Sequence, residues 1–251
     1  MIICHLKLYS MKLKYLMLVL GILSAEFALA GSFDTDTFKT KSKKEVIITF
    51  IKHGSLMLTY NKHTIQVDPV YEYADYSKFP KADIILITHE HGDHLDAKAI
   101  DMLSKKETTV ILNTSSQKKL GKGTIMNNGD KKEILDNIKV EAVPAYNTTP
   151  GREMFHPRHR DNGYVLTIDG LRIYIAGDTE DIPEMKELKN IDIAFLPVNQ
   201  PYTMTVAEAV HAAKMFLPKV LYPYHFGNTD VKKIKEELKG TSIDVRLRKM
   251  E

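Results

Sequence analysis

The feature that most constrains this chain is a run of imidazole and carboxylate side chains directly after a short apolar strand. Residues 83–88 read Asp-Ile-Ile-Leu-Ile-Thr, an almost continuous apolar run that is typical of a strand buried on both faces. The next six residues, 89–94, read His-Glu-His-Gly-Asp-His. Ligand-binding residues gather where the strands of a helix-covered sheet end. The pattern therefore predicts a sheet with a functional site at one edge.

This histidine-rich run offers ligand atoms in the pattern that a metal ion needs. Residues i and i+2 of an extended backbone point the same way, so His89 and His91 can face one ion. The turn that Gly92 permits lets Asp93 and His94 face a second ion. Zinc binds such nitrogen and oxygen ligands, and the remaining ligands must come from elsewhere in the chain. The alternative is a solvated loop, which the position after a buried strand disfavours.

Apolar periodicity along the rest of the chain predicts two sets of strands, each followed by helices. We expect strands at 46–51, 55–60, 64–68, 83–88, 109–112, 124–126, 140–143, 164–168, 171–175, 191–196, 220–224 and 242–247. We expect helices at 97–105, 206–216 and 230–238. This order is typical of the α/β class and predicts an αββα four-layer sandwich.

Local signals add detail to these elements. Asp169-Gly170, between two apolar runs, indicates a tight hairpin turn. Thr205, followed three residues later by Glu208, forms a capping box that starts a helix. Residues 144–163 show no periodicity, and a connection of that length predicts a functional loop. Residues 32–44 are expected to be a polar lead-in to the first strand.

The N-terminal residues carry a predicted export signal. Residues 11–14 are basic, residues 15–23 are apolar, and residues 28–30 read Ala-Leu-Ala, a small-x-small cleavage motif. The apolar run is shorter than the ~20 residues that a membrane-spanning helix needs, so we expect no stable membrane span. The predicted division is a signal peptide at 1–30 and a mature domain at 31–251, located in the periplasm or secreted.

Composition limits the chemistry of the mature chain. The one cysteine of the full sequence, Cys4, lies in the predicted signal. The mature chain is therefore expected to have neither a disulfide nor a thiol nucleophile. Loss of the signal removes three lysines and one glutamate and lowers the formal charge from +3 to +1. This balance does not favour nucleic acid as a partner, and a small-molecule substrate is expected instead. Since the signal is complete from Met11, either Met1 or Met11 can be the start.

The spacing His-x-His-x-Asp-His, starting at His89 after a buried strand, resembles the signature of the metallo-β-lactamase superfamily. Further motifs of that superfamily follow in family order, namely Val67-Asp68-Pro69, Ala176-Gly177-Asp178-Thr179 and Tyr224-His225-Phe226. More narrowly, the chain is similar to ascorbate-6-phosphate lactonase-like and N-acylphosphatidylethanolamine phospholipase D-like proteins. The segments that carry this similarity are Pro144-Ala-Tyr-Asn147, Leu196-Pro197, Tyr202-Thr203-Met204 and Pro223-Tyr-His225.

The resemblance implies roles for these residues. The metal ligands would be His89, His91, Asp93, His94, Asp178 and His225, around one or two zinc ions, with manganese or iron as alternatives. Asp178 would bridge two ions and position the nucleophile, while Asp93 would hold or receive the proton, so both are catalytic candidates. Asp68 would orient the metal-binding loop rather than bind metal. The implied reaction is attack by metal-bound hydroxide on an ester, lactone or phosphodiester.

One position departs from the family pattern, because Asn147 stands where the third motif has a histidine. An amide oxygen is a poorer zinc ligand than an imidazole. Either His89, His91 and Asp178 hold the first ion alone, or His156 from the following loop completes the site. Asn147 and His156 are therefore both candidates for a ligand or a substrate contact.

Several residues near these motifs are candidates for supporting roles. His53 lies in a segment that resembles the family's Gly-His-x-Ser element, although here the glycine follows the histidine. It is expected to support the ligands, and the alternative is a hydrogen-bonded hairpin histidine. Arg158 and Arg160, with Arg152 and His159 nearby, either grip an anionic substrate or form a solvated basic surface.

Hydrolysis of a small, anionic substrate is the function that these features favour. A redox or sulfur-transfer protein of the same fold is disfavoured, because the di-iron relatives carry glutamate where this chain has His91. The alternative is a non-catalytic metal-binding envelope module of the same fold, which Asn147 favours. His63, at a turn, and His211, on a helix, are expected to have ordinary structural environments.

Overall fold

The computed structural model describes residues 33–135 and 137–251. The predicted signal peptide at 1–30, together with Cys4 and the cleavage site before Gly31, lies outside the described residues and stays a prediction. Within the described part of the chain, no helix combines the length and the apolar character that crossing a membrane requires.

The first sheet has seven strands, which lie side by side in chain order. Its antiparallel part consists of β1 (Asp34–Lys39), β2 (Glu45–Lys52), β3 (Ser55–Tyr60) and β4 (His63–Val67). Its parallel part adds β5 (Ile84–Leu86), β6 (Thr109–Leu112) and β7 (Thr124–Ile125). Helices α1 (Ala97–Leu103) and α2 (Thr114–Leu120) connect the parallel strands, which need such crossovers.

The second sheet repeats this arrangement with seven further strands. Its antiparallel part consists of β8 (Lys131–Leu135), β9 (Ile138–Ala145), β10 (Asp161–Ile168) and β11 (Leu171–Ile175). Its parallel part adds β12 (Ile193–Pro197), β13 (Val220–Tyr224) and β14 (Asp244–Val245). The connecting helices are α3 (Val206–Phe216) and α4 (Lys232–Glu237). Short 3₁₀ turns lie at Tyr71–Tyr73, Tyr76–Lys78 and Pro183–Glu187.

Three apolar clusters separate the four layers. In the central cluster, side chains from both sheets meet, and the rings of Phe50, Phe195 and Tyr222 pack at centroid distances of 4.8, 5.2 and 6.1 Å. A second cluster lies between the second sheet and α3 and α4, and a third lies between the first sheet and α1. Burying a large apolar side chain contributes about 1.5–3 kcal/mol, so these faces determine the layering. The predicted αββα sandwich is confirmed.

Several elements have the bounds that the sequence predicted, among them β3, β6, β11, α3 and β13. The capping box is present, because the Thr205 hydroxyl accepts a hydrogen bond from the Glu208 amide and the Glu208 carboxylate accepts one from the Thr205 amide. Asp169 and Gly170 both have positive φ angles, 44° and 83°, as the tight hairpin turn requires.

Two strands and one α-helix were missed because their sequences are polar. Residues 34–39, which we expected to be part of a lead-in, form the edge strand β1, and its alternate side chains are only half-buried. Helix α2 fully buries only Ser116, and β8 is largely exposed. Edge strands and surface helices of this kind lack the apolar periodicity on which sequence interpretation relies.

Candidate metal centre

The predicted ligands come from distant parts of the chain but share one edge of the sandwich. Asp68 follows β4, the run that begins at His89 follows β5, Asp178 follows β11, and His225 follows β13. Neighbouring strands in this part of each sheet are parallel, so their carboxyl ends lie at the same edge. The fold thereby brings the six predicted ligands into one place.

Two glycines allow the backbone to approach these ligands closely. Gly177 has a φ of 65°, and a Cβ atom there would lie 2.7 Å from the carbonyl oxygen of Asn162. A Cβ atom at Gly54 would lie 2.8 Å from Cε1 of His94. A side chain at either position would displace Asp178 or His94, so both positions require glycine.

The first ligand group consists of His89, His91 and His156. Each offers one ring nitrogen, and the three nitrogens lie within 4.8 Å of one another. The ring centroids are 4.6 Å apart for His89 and His91, 5.0 Å for His91 and His156, and 5.1 Å for His89 and His156. Of the alternatives that the sequence left open for this group, the geometry favours completion by His156.

Asn147, the residue at the third-motif position, has a different set of contacts. Its Nδ2 donates hydrogen bonds to the carbonyl oxygens of Tyr202 (2.8 Å) and Arg152 (3.3 Å), and its backbone amide donates to the carbonyl oxygen of His156 (2.9 Å). Its Oδ1 is buried and has no hydrogen-bond partner among the described residues. These contacts hold the loop that presents His156.

The second ligand group consists of Asp93, His94 and His225, with His53 beside them. Their ligand atoms also lie within 4.8 Å of one another. Oδ2 of Asp93 is 3.8 Å from Nε2 of His94 and 3.6 Å from Nε2 of His225. The ring of His53 lies against that of His225, with centroids 3.7 Å apart, and its Nε2 is 3.3 Å from Asp93 Oδ2. His53 thus contacts two of the predicted ligands.

Asp178 lies between the two ligand groups and is only 3% exposed. On one side its Oδ2 is 3.9 Å from Nε2 of His89 and 3.4 Å from Nε2 of His156. On the other side Oδ1 is 3.4 Å from Nε2 of His94 and Oδ2 is 3.3 Å from Nε2 of His225. A carboxylate in this position can serve two ions at once.

Unpartnered buried atoms show that these residues fit metal ions. Several polar atoms are buried and have no hydrogen-bond partner among the described residues, namely Nε2 of His89, His94, His156 and His225, Nδ1 of His156 and His225, and Oδ1 of Asp178. Buried polar groups are normally paired, so such a concentration needs an explanation. Two ligands at ~2.0–2.1 Å from a tetrahedral zinc lie about 3.3–3.4 Å apart, which is close to several of the separations above.

Burial and charge set the protonation states of the ligands. Burial holds the pKa of His89 well below its usual value and lowers the pKa of His156 to about 4, so both rings are neutral and keep a free lone pair. Burial alone would raise the pKa of Asp178, but the facing rings of His225 and His94 hold it well below the usual range. Asp93 is likewise ionised, because His225 and His53 lower its pKa against the effect of burial.

His94 and His225 have the opposite preference. Burial opposes protonation, but Asp178 and Asp68 raise the pKa of His94, and Asp178 and Asp93 raise the pKa of His225 to about 10. A metal ligand must present a deprotonated nitrogen, so metal binding has to displace a proton here. Metal affinity is therefore expected to fall as the pH falls.

Asp68 supports the ligands through hydrogen bonds. Its Oδ2 lies 2.8 Å from Nδ1 of His94 and accepts a hydrogen bond from the Thr88 hydroxyl (2.7 Å), while its Oδ1 accepts one from the Thr88 amide (2.8 Å). A carboxylate on Nδ1 directs Nε2 of the same ring towards the metal. Asp68 is thus placed to orient the loop, as the resemblance implied.

Arg158 and Arg160 are each engaged by a carboxylate. Nη2 of Arg158 is 2.8 Å from Oε1 of Glu184. Arg160 makes two hydrogen bonds with Asp161, of 2.7 and 2.8 Å, and donates a third to the carbonyl oxygen of Phe155 (2.7 Å). Arg160 therefore holds the chain on both sides of His156, a role that the sequence did not indicate.

Two other carboxylates near the site were also missed. Glu180 is buried and accepts hydrogen bonds from Thr148 and Thr149, and Glu251 contacts His53. A turn glutamate and a tail glutamate carry no sequence signal for such contacts. His63 and His211 pair with the carboxylates of Asp83 and Asp181, in agreement with the ordinary roles expected for them.

Comparisons with known proteins agree with this geometry. A family model described as a β-lactamase superfamily domain matches residues 47–225. A UPF0173 metal-dependent hydrolase of Pyrococcus furiosus is 31% identical over 197 residues, which cover 72% of this chain and 84% of that protein. A UPF0173 metal-dependent hydrolase of Natranaerobius thermophilus is 31% identical over 195 residues, which cover 71% of this chain and 82% of that protein.

Solved structures extend the similarity to the whole sandwich. A crystal structure described as a metal-dependent hydrolase from Parabacteroides distasonis is 69% identical and has a TM-score of 0.86, covering 87% of this chain and 100% of that one. A metallo hydrolase from Ignicoccus hospitalis is 24% identical and has a TM-score of 0.69, covering 80% of this chain and 94% of that one. At that level of identity the second likeness concerns the fold alone.

Proposed function

The chain belongs to the metallo-β-lactamase superfamily and is a metal-dependent hydrolase, and we propose that its substrate is an anionic ester, lactone or phosphodiester. The observation that carries the proposal is the position of Asp178 between two ligand groups, with buried nitrogen atoms facing its carboxylate from both sides. Such sites hydrolyse carbonyl and phosphoryl centres.

The residues of the site divide the work of such a reaction. When bound, the metal lowers the pKa of water to about 7 and so supplies a nucleophile at neutral pH. The first ligand group would hold one ion and the second ligand group the other, with Asp178 shared. The side chain of Asp93 is 43% exposed, so its carboxylate is the one among these ligands that could take up a proton and pass it to the leaving group.

We propose zinc as the native metal, with manganese and iron as the alternatives, because imidazole nitrogens dominate both ligand groups.

Changing His94 or His225 to alanine should reduce the bound metal and nearly abolish turnover while the fold survives. Metal content measured by mass spectrometry and folding measured by circular dichroism test this. His211→Ala is the matched control, because that ring is exposed and pairs with Asp181. A His225→Ala variant with full metal content and activity would refute the assignment.

A substrate screen with metal titration tests the reaction itself. Ester, lactone and phosphodiester substrates should be turned over by metal-loaded protein and not by protein treated with a chelator. If metal binds with the expected stoichiometry and no substrate of these classes is hydrolysed, the alternative of a non-catalytic metal-binding envelope module is favoured instead. The proximity of the ring nitrogens of His89, His91 and His156 supports the catalytic proposal over that alternative, because His156 could supply the ligand that Asn147 does not.

The proposed negative charge of the substrate rests on Arg158 and Arg160, in the segment that carries His156. Arg160 contacts the carbonyl oxygen of Phe155, next to His156, and its charge adds to burial in lowering the pKa of both His91 and His156. Arg158 gives the cleaner test, because Arg160 also holds the loop. Arg158→Ala should raise KM for a substrate with a phosphate or carboxylate and spare a neutral ester. An equal loss on both substrates would indicate a structural role.

We also propose that the protein is exported, on the basis of the basic, apolar and small-x-small segments within residues 11–30. The mature chain should then begin at Gly31 in the periplasm or outside the cell. Mass analysis of the N-terminus of exported protein tests this, and recovery of the chain with Met1 or Met11 intact would count against it.

A further inference from the structure

The tail of the chain reaches the second ligand group. Met250 is 1% exposed and belongs to the cluster between the two sheets, and its carbonyl oxygen accepts a hydrogen bond from the His53 amide. The carboxylate of Glu251 then spans two targets. Its Oε1 accepts hydrogen bonds from the amides of Phe226 (2.9 Å) and Gly227 (3.0 Å), and its Oε2 lies 3.3 Å from Nδ1 of His53.

His53 lies between two carboxylates as a result. Its Nδ1 faces Glu251 and its Nε2 faces Asp93, each at 3.3 Å. Its carbonyl oxygen accepts a hydrogen bond from the His225 amide (3.2 Å), and its ring packs on the ring of His225. The imidazole of His53 therefore links Glu251 to the two predicted ligands Asp93 and His225.

Asp93 is the ligand that needs such support. Its side chain is 43% exposed, whereas those of Asp178, His94 and His225 are 3%, 0% and 2% exposed. Packing fixes the rotamers of the three buried ligands, but it does so much less for a half-exposed carboxylate. A hydrogen-bonded neighbour such as His53 is the means by which the structure can orient Asp93.

We propose that Glu251 is a positioning residue for the second metal ion, acting through His53 on Asp93 and through the amides of Phe226 and Gly227 on the loop that follows His225. This inference rests on the proposed metal-dependent activity, since Asp93 and His225 matter as ligands. The Glu251 side chain touches none of the reacting atoms in this scheme. It keeps Asp93 and His225 in the positions that ion binding requires.

The test compares Glu251→Gln and Glu251→Ala with unaltered full-length protein. Glutamine retains an oxygen for the amides of Phe226 and Gly227 but replaces the carboxylate oxygen that faces His53. Glutamine should lower zinc affinity at the second site about tenfold, and alanine should approach a hundredfold, because supporting partners of metal ligands are worth about that much. The readouts are zinc affinity from chelator competition, and kcat and KM with a neutral ester. We expect kcat to fall with KM little changed.

A double-mutant cycle separates positioning from general stabilisation. In a His53→Ala background, Glu251→Gln should change zinc affinity less than twofold, because the route to Asp93 is already absent. Equal losses in both backgrounds, or unchanged zinc affinity in Glu251→Gln and Glu251→Ala, would overturn the proposal. Asp34→Ala is the control for loosening the tail, because Asp34 accepts a hydrogen bond from the Lys249 amide (3.0 Å) and belongs to neither ligand group. Zinc affinity reports on Glu251 even if no substrate is hydrolysed, so failure of the proposed function is distinguishable.

Discussion

At the scale of single residues, His156 is the candidate for the ligand that Asn147 does not offer. It lies nine positions after Asn147, in a loop that brings its ring beside His89 and His91. The ring is 1% exposed and both of its nitrogens are buried without partners in the described structure. An imidazole buried in this way is costly unless something binds it, and a metal ion satisfies that need.

We therefore expect His156→Ala to weaken metal binding at the first ligand group by about a hundredfold or more, with a corresponding loss of turnover. The loss of a partner that only supports a ligand is already worth about tenfold to a hundredfold. Metal stoichiometry after dialysis and chelator competition measure this. His159→Asn is the matched control, because His159 lies exposed in the same segment with a φ of 69°, a conformation that asparagine tolerates. If Asn147→Ala lost the ion and His156→Ala retained it, the third ligand would be Asn147.

The ligand motif could be interpreted from sequence because its residues are adjacent in the chain. The local backbone alone sets the relative positions of His89, His91, Asp93 and His94. Their pattern can therefore be recognised without knowledge of the fold. His156 remained one of two alternatives, because the path of an irregular loop does not follow from its composition. Glu251 gave no signal, since its contact with His53 exists only after both sheets and the tail have packed.

At the scale of elements, the segment 145–160 is organised by buried charges rather than by apolar packing. Oε2 of Glu180 accepts three hydrogen bonds, from the amide and hydroxyl of Thr148 (2.7 and 2.9 Å) and from the amide of Thr149 (2.7 Å). Arg160 closes the other end through Asp161 and the Phe155 carbonyl oxygen. A loop without secondary structure must satisfy its buried backbone groups in this way.

Glu180→Ala should therefore lower the free energy of unfolding by about 2–4 kcal/mol, because it leaves the amides of Thr148 and Thr149 without an acceptor. Urea unfolding of metal-free protein measures this loss without a contribution from metal binding. Glu153→Ala, an exposed glutamate of the same segment, should change the unfolding free energy by no more than about 0.5 kcal/mol. Similar losses for the two variants would show that Glu180 does not hold the segment.

The strands that could be predicted are those with mostly buried, apolar side chains. β3, β11 and β13 are buried along most of their length and carry continuous or alternating apolar residues, so their bounds agree with the sequence prediction. β1 and β8 lie at sheet edges, where each strand is hydrogen-bonded to a single neighbouring strand and its other side is unpaired. Their side chains are polar and solvated, so their sequences resemble those of loops.

At the scale of the whole molecule, each sheet has three antiparallel pairings followed by three parallel ones. The halves share this topology without a clear repeat in sequence. Asp36 makes one of the polar contacts between them. Asp36 in β1 of the first sheet makes two hydrogen bonds of 2.6 Å with Arg248 in the tail and contacts Arg246 and the hydroxyl of Tyr222 in β13 of the second sheet.

This contact predicts a pH dependence of stability. Burial alone would raise the pKa of Asp36, but Arg248, Tyr222 and Arg246 together hold it below the usual value of 3.8. A depressed carboxylate pKa stabilises the folded state above the unfolded pKa, and the contribution is lost as the pH falls through the folded value. Asp36→Asn should therefore lower the unfolding free energy of metal-free protein by about 1–3 kcal/mol at pH 6 to 7. The difference between variant and unaltered protein should shrink below about pH 4.

Chemical unfolding followed across pH 2.5–7 measures this difference in unfolding free energy. Asp244→Asn is the control, because its half-exposed carboxylate pairs only with the neighbouring Arg246 in the described structure. A difference that stayed constant with pH would mean that Asp36 does not contribute through its charge.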